Sequence, residues 1–268
     1  MQSEKYDSNR PLQPSLLGAS VIVTRPQGSS AELIRAAEAR GAGIVRLPGV
    51  RIVRVEDKAA AQNALKAAES ADHWIFTSPN AVRFSWQLGA HPPRSGALAV
   101  LAVGAGTRRA LQRHGVSAFA PSGAQNSEGL LADPALPAFN GKSIVIIDAP
   151  GGRDLLAPKL RERGARVERI AVYQRLPPRL QARYFSALAQ AQRPWISLVS
   201  SSVILNNLVA ALTEELRQRW QHEALVVSSA RLAEEAKQLG FSDVHEARSA
   251  LSADMLEGAE RVLGRHRI

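Results

Sequence analysis

The sequence predicts an α/β fold of two similar domains, each a parallel sheet flanked by helices, and three observations carry that prediction. Short β-branched runs end in turn residues and are followed by helical patterns. That unit recurs at a nearly constant shift over most of the chain. The 268 residues also leave room for two cores, since domains commonly run to about 100–200 residues.

Val21-Ile22-Val23-Thr24-Arg25-Pro26 reads as a strand entering a loop, and Leu33, Ile34 and Ala37 mark an apolar helical stripe that closes at Gly41. Ile144-Val145-Ile146-Ile147, the loop from Asp148 to Asp154, the stripe Leu155, Leu156 and Leu160, and the closing Gly164 repeat the unit 123 residues later without a gap. Trp74-Ile75-Phe76-Thr77-Ser78-Pro79-Asn80 is echoed by Trp195-Ile196-Ser197-Leu198-Val199-Ser200-Ser201-Ser202, each an apolar strand entering a small polar loop before a helix. Ala99-Val100-Leu101-Ala102-Val103-Gly104 corresponds to Leu225-Val226-Val227-Ser228-Ser229, with helices that close at Gly115 and Gly240. Ser127-Glu128-Gly129-Leu130-Leu131 matches Ser252-Ala253-Asp254-Met255-Leu256, and both read as helix N-caps with an acid in the first turn. A period of this length marks a duplicated domain, because solenoid repeats run to only about 20–50 residues. Strands alternating with helices imply parallel sheets covered on both faces, with ligands at the carboxyl ends of the strands. Two related domains facing each other would then form a cleft.

Residues 45–55 and 167–178 fit neither helix nor core strand. Both alternate apolar with basic residues and carry proline, so they are expected to be exposed, extended linkers. They occupy equivalent positions of the duplication and can pair as a two-stranded connector. That makes them candidate boundaries, without saying whether the chain crosses between domains there. Residues 1–17 are expected to be a loose tail, with no basic segment leading into the apolar run of a secretory leader.

The net charge of +10 attracts anions, nucleic acid and polycarboxylate alike. Aromatics are only 5% of residues and no basic run is interleaved with them, so the stacking platform for single strands is missing and nucleic acid is not an expected partner. No apolar run approaches the ~18 residues of a membrane span, so no membrane partner is expected either. The absence of cysteine excludes disulfides, thiolate catalysis and thiolate metal sites, and leaves the cytoplasm as the default compartment. Six histidines lie scattered with no HExxH spacing, and neither a GxxxxGK[ST] nor a GxSxG motif occurs. Metal, nucleotide-phosphate and serine-hydrolase chemistry therefore lack support.

The loops after the strands hold the candidate site residues. Thr77, Ser78 and Asn80 offer hydroxyls, an amide and backbone N–H groups at a helix start, which suits carboxylate or phosphate oxygens and equally suits plain N-capping. Gly104-Ala105-Gly106-Thr107 begins like a dinucleotide fingerprint, but Arg109 stands at the third glycine position. A loop that lets a ligand approach the backbone, or a tight turn, is the better reading. Gly152 and Arg153 follow a strand directly and Arg25 occupies the analogous loop, so each guanidinium can fork onto a carboxylate. Asp148 ranks lower, as a turn-capping aspartate. Tyr173 carries a phenol that can serve as a general acid, although pattern alone favours a packed aromatic. Arg108, Arg109, Arg113, Arg161, Arg163, Arg166 and Arg169 read as solvated faces.

The order Val-Thr-Arg-Pro (23–26), Phe-Thr-Ser-Pro-Asn-Ala-Val (76–82), Val-Gly-Ala-Gly-Thr (103–107), Asn-Ser-Glu-Gly-Leu-Leu (126–131), Gly-Gly-Arg (151–153), Val-Tyr-Gln-Arg (172–175), the serines at 200–202 and Ser-Ala-Arg-Leu-Ala (229–233) resembles the uroporphyrinogen-III synthase family over about residues 18–262. The resemblance implies two domains joined by a two-stranded β-ladder, with residues 18–49 and 177–264 forming one and 53–172 the other. It also implies a cofactor-free, cyclising lyase of porphyrin and heme biosynthesis, acting as a cytoplasmic monomer. Its substrate would be hydroxymethylbilane, a linear tetrapyrrole polycarboxylate that suits the positive charge. On that resemblance Tyr173 is the proton donor, and Thr77, Ser78, Asn80, Thr107, Ser127, Ser200, Ser201 and Arg231 hold acetate and propionate groups. One departure is Leu198-Val199-Ser200, where the family often repeats Phe-Thr-Ser. The alternative from another class is a two-lobed binding protein that captures a small anion without turning it over.

Overall fold

A computed structural model of the chain describes residues 15–92, 99–151 and 155–265, and in it the strand–helix units form two separate parallel sheets. The chain divides into a discontinuous first unit, Met1–Arg51 with Leu176–Ile268, and a second unit, Ile52–Arg175. It begins in the first unit with β1 (Ser20–Val23), α1 (Ala31–Glu38) and β2 (Gly43–Arg46), then passes through β3 (Arg51–Arg54). The second unit follows as α2 (Lys58–Ala67), β4 (His73–Phe76), α3 (Pro79–Gln87), β5 (Val100–Ala102), α4 (Ala105–Gln112), α5 (Ser127–Ala132), β6 (Ser143–Asp148), α6 (Leu156–Glu162) and β7 (Arg166–Ala171). The chain returns through β8 (Tyr173–Leu176) and completes the first unit with α7 (Ala182–Ala189), β9 (Trp195–Val199), α8 (Ser202–Ala211), α9 (Glu214–Gln221), β10 (Ala224–Val227), α10 (Ala230–Gln238), β11 (Val244–Glu246) and α11 (Ser252–Arg265).

The first unit's sheet has the order β11-β10-β9-β1-β2 and the second unit's β5-β4-β6-β7. The strand pairings in both are parallel. Strands β3 and β8 pair as a two-stranded sheet through which both passages of the chain run. The duplication extends to register: Ser20 lies opposite Gly43 and Ser143 opposite Arg166, each member shifted by 123 residues. The helices that follow β1 and β6 close at Gly41 and Gly164, whose φ values of 80° and 82° are accessible to glycine at little cost.

Period-two alternation decides where each core lies. In β4, Trp74 and Phe76 enter one cluster with Val145, Ile147, Leu65 and Phe84, while Ile75 points to the other face with Ile144, Ile146, Leu130 and Leu160. Both faces are thus covered by helices, which is why these strands read as continuous apolar runs. In the first unit Val21, Val23, Ile196, Leu198 and Val226 pack under Leu33, Met255, Leu256 and Val262. Trp74 and Trp195 are fully buried, and each indole N–H donates to a backbone carbonyl, of Ala68 at 3.0 Å and of Ala191 at 3.1 Å. Burying an aromatic side chain of this size contributes roughly 2–3 kcal/mol, and the satisfied N–H avoids the penalty that would offset it.

Several expectations change. The segments taken as linkers begin as strands: β2 ends at Arg46 and β7 covers Arg166–Ala171. Both are edge strands, whose partly exposed faces produce the basic–apolar alternation that reads as a linker. Two residues of the expected tail are packed instead, Leu16 in the first unit's core and Ser15 by donating to Glu260 at 2.6 Å, and residues 1–14 lie outside the described residues. Arg169 does not form a solvated face but pairs with Asp148, so that aspartate is an ion-pair partner in place of a turn cap. Arg163 and Arg161 likewise donate to the carbonyls of Leu131 and Val167.

Candidate active site

Because the strands of the five-stranded and four-stranded sheets pair in parallel, each unit gathers its strand-end loops along one carboxyl edge. In the second unit β4 runs into Thr77 and Ser78, and α3 starts at Pro79, whose fixed φ suits the first helical position. Ser78 is the N-cap: its extended backbone turns its Oγ toward the amide of Ala81, which donates to it at 3.0 Å. Thr77 Oγ1 donates to the carbonyl of Ile147 at 3.2 Å, tying this loop to the end of β6. Asn80 follows in the first turn, half-buried.

The same Ser78 hydroxyl lies 3.0 Å from the phenol oxygen of Tyr173. Tyr173 does not sit on an exposed linker: it is 1% exposed, its ring stacked on Phe84 with centroids 5.7 Å apart and planes 17° from parallel. Arg175 Nη2 donates to the phenol oxygen at 3.1 Å. The phenol and Ser78 hydroxyls are hydrogen-bonded with either able to donate, and Arg175 adds a donor to the phenol oxygen. A polarised hydroxyl chain, Arg175 to Tyr173 to Ser78, therefore opens at the N-terminus of α3.

The neighbouring loop after β5 is capped by Gly104, at φ −163° and ψ 169°. Gln125 accepts a hydrogen bond from the Ala105 amide and anchors itself on the carbonyls of Pro121 and Gly123. Thr107 is buried in α4, and Gly106 is the exposed position of the loop, close enough to the β4 loop that an added Cβ would lie 3.8 Å from Pro79. At α5 the cap is Asn126, whose side chain accepts from Gly129 N at 2.8 Å. Ser127, expected to be the cap, is instead the first helical residue, because asparagine and serine cap equally well and the helix starts one position earlier than a Ser127 cap would set it. Gly152 and Arg153 lie outside the described residues.

The first unit repeats the design. Ser201 caps α8 and Ser229 caps α10, each in extended backbone and accepting from the amide three residues on. Ser200 accepts at its carbonyl from Ser228 Oγ at 3.2 Å, which joins the β9 and β10 loops. Arg231, in the first turn of α10, is 78% exposed and meets Glu235 at 3.6 Å, a contact of little energetic consequence that leaves the guanidinium accessible. Glu235 is also held by Asn206, which donates at 2.6 Å. Arg25 donates to Ser252 Oγ at 3.1 Å and to the carbonyl of Ala250, bracing the loop before α11. Burial pulls its guanidinium below the ordinary value and nearby Glu32 partly restores it. Ser252, expected to cap α11, is its first residue.

The structure therefore brings Thr77, Ser78, Asn80, Gly104, Thr107 and Tyr173 to the second unit's strand-end loops, and Arg25, Ser200, Ser201 and Arg231 to the first unit's. Ser127 caps nothing, while Asn126, Gln125, Phe84 and Arg175 emerge as organising residues. Arg175 was legible in principle, since strand alternation puts residues 173 and 175 on one face. Chemically, the helix N-termini and guanidinium groups suit carboxylates, and the phenol of Tyr173 is able to give a proton.

A family model described as uroporphyrinogen-III synthase HemD matches residues 31–257. The chain is 29% identical over 241 residues to the uroporphyrinogen-III synthase of Salmonella typhimurium, covering 86% of this chain and 96% of that protein. Among solved structures it resembles uroporphyrinogen-III synthetase from Helicobacter pylori, with a TM-score of 0.57 at 16% identity over 91% of this chain and 99% of the other. It also resembles a mutant uroporphyrinogen III synthase from Thermus thermophilus, with a TM-score of 0.54 at 21% identity over 92% and 99%. These structural likenesses support the two-sheet α/β fold.

Proposed function

The chain belongs to the uroporphyrinogen-III synthase family, and from that membership we propose that it cyclises hydroxymethylbilane to uroporphyrinogen III, with loss of water and inversion of the terminal pyrrole ring. The substrate carries eight carboxylates and the chain a net charge of +10, so long-range attraction favours the encounter. At close range the N-terminal amides of α3, α4, α8 and α10, with Arg25, Arg231 and Arg153, would receive acetate and propionate oxygens.

The observation that carries the reading is the phenol of Tyr173, held between Ser78 and Arg175 at a strand-end loop. Its proton would pass to the terminal hydroxyl of the substrate through the partly exposed Ser78 hydroxyl, so that the C–O bond breaks and water leaves. The resulting azafulvene cation is attacked by the far pyrrole through its substituted carbon, giving a spiro intermediate. Fragmentation and reclosure invert that ring, and a proton lost on rearomatisation balances the one donated. The Arg175 guanidinium would sit beside the phenolate in the interval. Closure without the enzyme gives the uninverted type I isomer, so the carboxylate contacts must also restrain the chain in one attack geometry.

Incubation of the purified protein with hydroxymethylbilane, followed by chromatographic separation of the isomers, tests the reading. Excess type III product is expected, and type I alone would leave a two-lobed anion-binding protein as the better account. We further propose that the working form is a cytoplasmic monomer without a cofactor. Sedimentation at micromolar protein and activity after dialysis against chelator test those two statements. Among the described residues no helix is long and apolar enough to cross a membrane.

A further inference from the structure

We infer that the first unit holds an additional carboxylate-binding depression, formed by Arg46, Tyr184, Arg25 and Gln27 at the carboxyl ends of β1 and β2. The identity of the molecule that brings the carboxylate rests on the tetrapyrrole reading above. Val23 and Arg46 are the last residues of paired strands and lie opposite each other in register. Helix α7 packs along β2 and brings Tyr184 over their ends. The depression between them has a volume of about 30 Å³, with Arg25, Gln27, Ser30, Arg46 and Tyr184 among its lining residues. At the roughly 10–15 Å³ that one enclosed water needs, that is room for about two water oxygens, which matches the oxygen pair of a carboxylate.

The polar lining is uniform in character. Two guanidinium groups, an amide and two hydroxyls can all donate hydrogen bonds, and no lining residue is acidic. Arg25 donates to a serine hydroxyl and a backbone carbonyl, both neutral acceptors. Among the described residues the Arg46 guanidinium has no ion pair and no hydrogen bond, and the Tyr184 hydroxyl has no hydrogen bond. Two cations lining one recess repel each other, and a carboxylate between them would relieve that repulsion while accepting a forked bond. The partial desolvation of Arg25 strengthens the preference. Nothing in the sequence motifs marked Arg46 or Tyr184, which are joined only by the packing of α7 on the sheet.

Equilibrium binding of uroporphyrin III, a stable octacarboxylate, can be followed by quenching of tryptophan fluorescence in the wild type, Arg46→Gln, Tyr184→Phe and Lys237→Gln. Lys237 lies in the last turn of α10, away from the carboxyl edge, and controls for loss of one positive charge. Arg46→Gln is expected to weaken binding about fivefold, the upper range for an exposed ion pair. Tyr184→Phe should weaken it about threefold through one lost neutral hydrogen bond. Lys237→Gln should bind as the wild type does. In kinetics Arg46→Gln should raise KM for hydroxymethylbilane with kcat retained, the mark of a contact made equally in ground and transition states.

Equal affinities for Arg46→Gln and Lys237→Gln, or no binding by the wild type, would overturn the inference. So would displacement of the porphyrin from wild type but not Arg46→Gln by millimolar inorganic phosphate, since the recess would then take any small anion. A wild type that binds through Arg46 yet yields only type I isomer would sink the synthase reading and leave this one standing. Normal type III synthesis with unchanged affinity in Arg46→Gln would do the reverse.

Discussion

Replacing Tyr173 with phenylalanine removes one oxygen from a packed site, and the structure separates its structural from its chemical cost. The ring is 1% exposed and stacked on Phe84, so phenylalanine fits the same slot. What is lost is the 3.0 Å contact with Ser78 and the 3.1 Å bond from Arg175. Arg175 is exposed and can bond to water instead, and Ser78 keeps the amide of Ala81. The folding cost should therefore be about 1 kcal/mol. That corresponds to roughly 2–4 °C in Tm for a chain of this size. If the phenol donates the proton, turnover should fall about 10²–10⁴-fold, a loss of roughly 3–5 kcal/mol in the barrier. The assay pairs initial rates of hydroxymethylbilane consumption with thermal unfolding of the same samples. Turnover within about threefold of wild type would refute the proton-donor role, leaving Tyr173 as packing; the threshold is set below the smallest effect usual for a general acid.

Two other consequences follow from the geometry. Gly129→Ala would place a Cβ 1.8 Å from the carbonyl oxygen of Ala124, an obstacle of backbone that no rotamer change removes. A destabilisation of about 3 kcal/mol is expected in denaturant titration, and a cost below about 1 kcal/mol would contradict the placement of α5. Asp72, bound by the Ser143 amide at 2.8 Å, the Ser143 hydroxyl at 2.9 Å and Lys142 at 3.2 Å, has its carboxyl held well below the usual range, chiefly by the two Ser143 bonds. A lowered carboxyl favours the native state at all pH above its unfolded value of about 3.9, and that contribution fades as pH falls further. Asp133 and Asp254 are shifted the same way, the first mainly by the Ser122 amide and the second by the Ser249 hydroxyl. Denaturation midpoints should thus be level from about pH 7 to 5 and fall below about pH 4, and the fall should be shallower in Asp72→Asn; an identical profile in that variant would count against the Ser143 bonds.

The sequence made the parallel strands legible because the strands buried on both faces are continuous apolar runs, as in Trp74–Phe76 and Ile144–Ile147. It made the loops legible because the capping serines at 78, 201 and 229 stand directly after such runs. Edge strands were harder. In β7 the alternation of Arg166, Glu168 and Ile170 with Val167 and Arg169 looks like a linker until β6 is known to lie beside it. The Asp148–Arg169 pair depends on that same neighbour and has no local signal. The segment around Tyr173 reads as exposed for a related reason, since basic neighbours announce a wet stretch, yet the packed-aromatic reading of Tyr173 itself agrees with its burial against Phe84, far away in sequence. The cap of α5 was missed by one position because two adjacent residues, Asn126 and Ser127, have equal capping chemistry.

The most direct test of the central claim is the isomer composition of the product as enzyme concentration is raised at fixed hydroxymethylbilane. The account predicts that the initial rate grows in proportion to enzyme and that type III displaces type I until type I is a minor fraction. Product that remains type I, formed at the uncatalysed rate whatever the amount of protein, would contradict it.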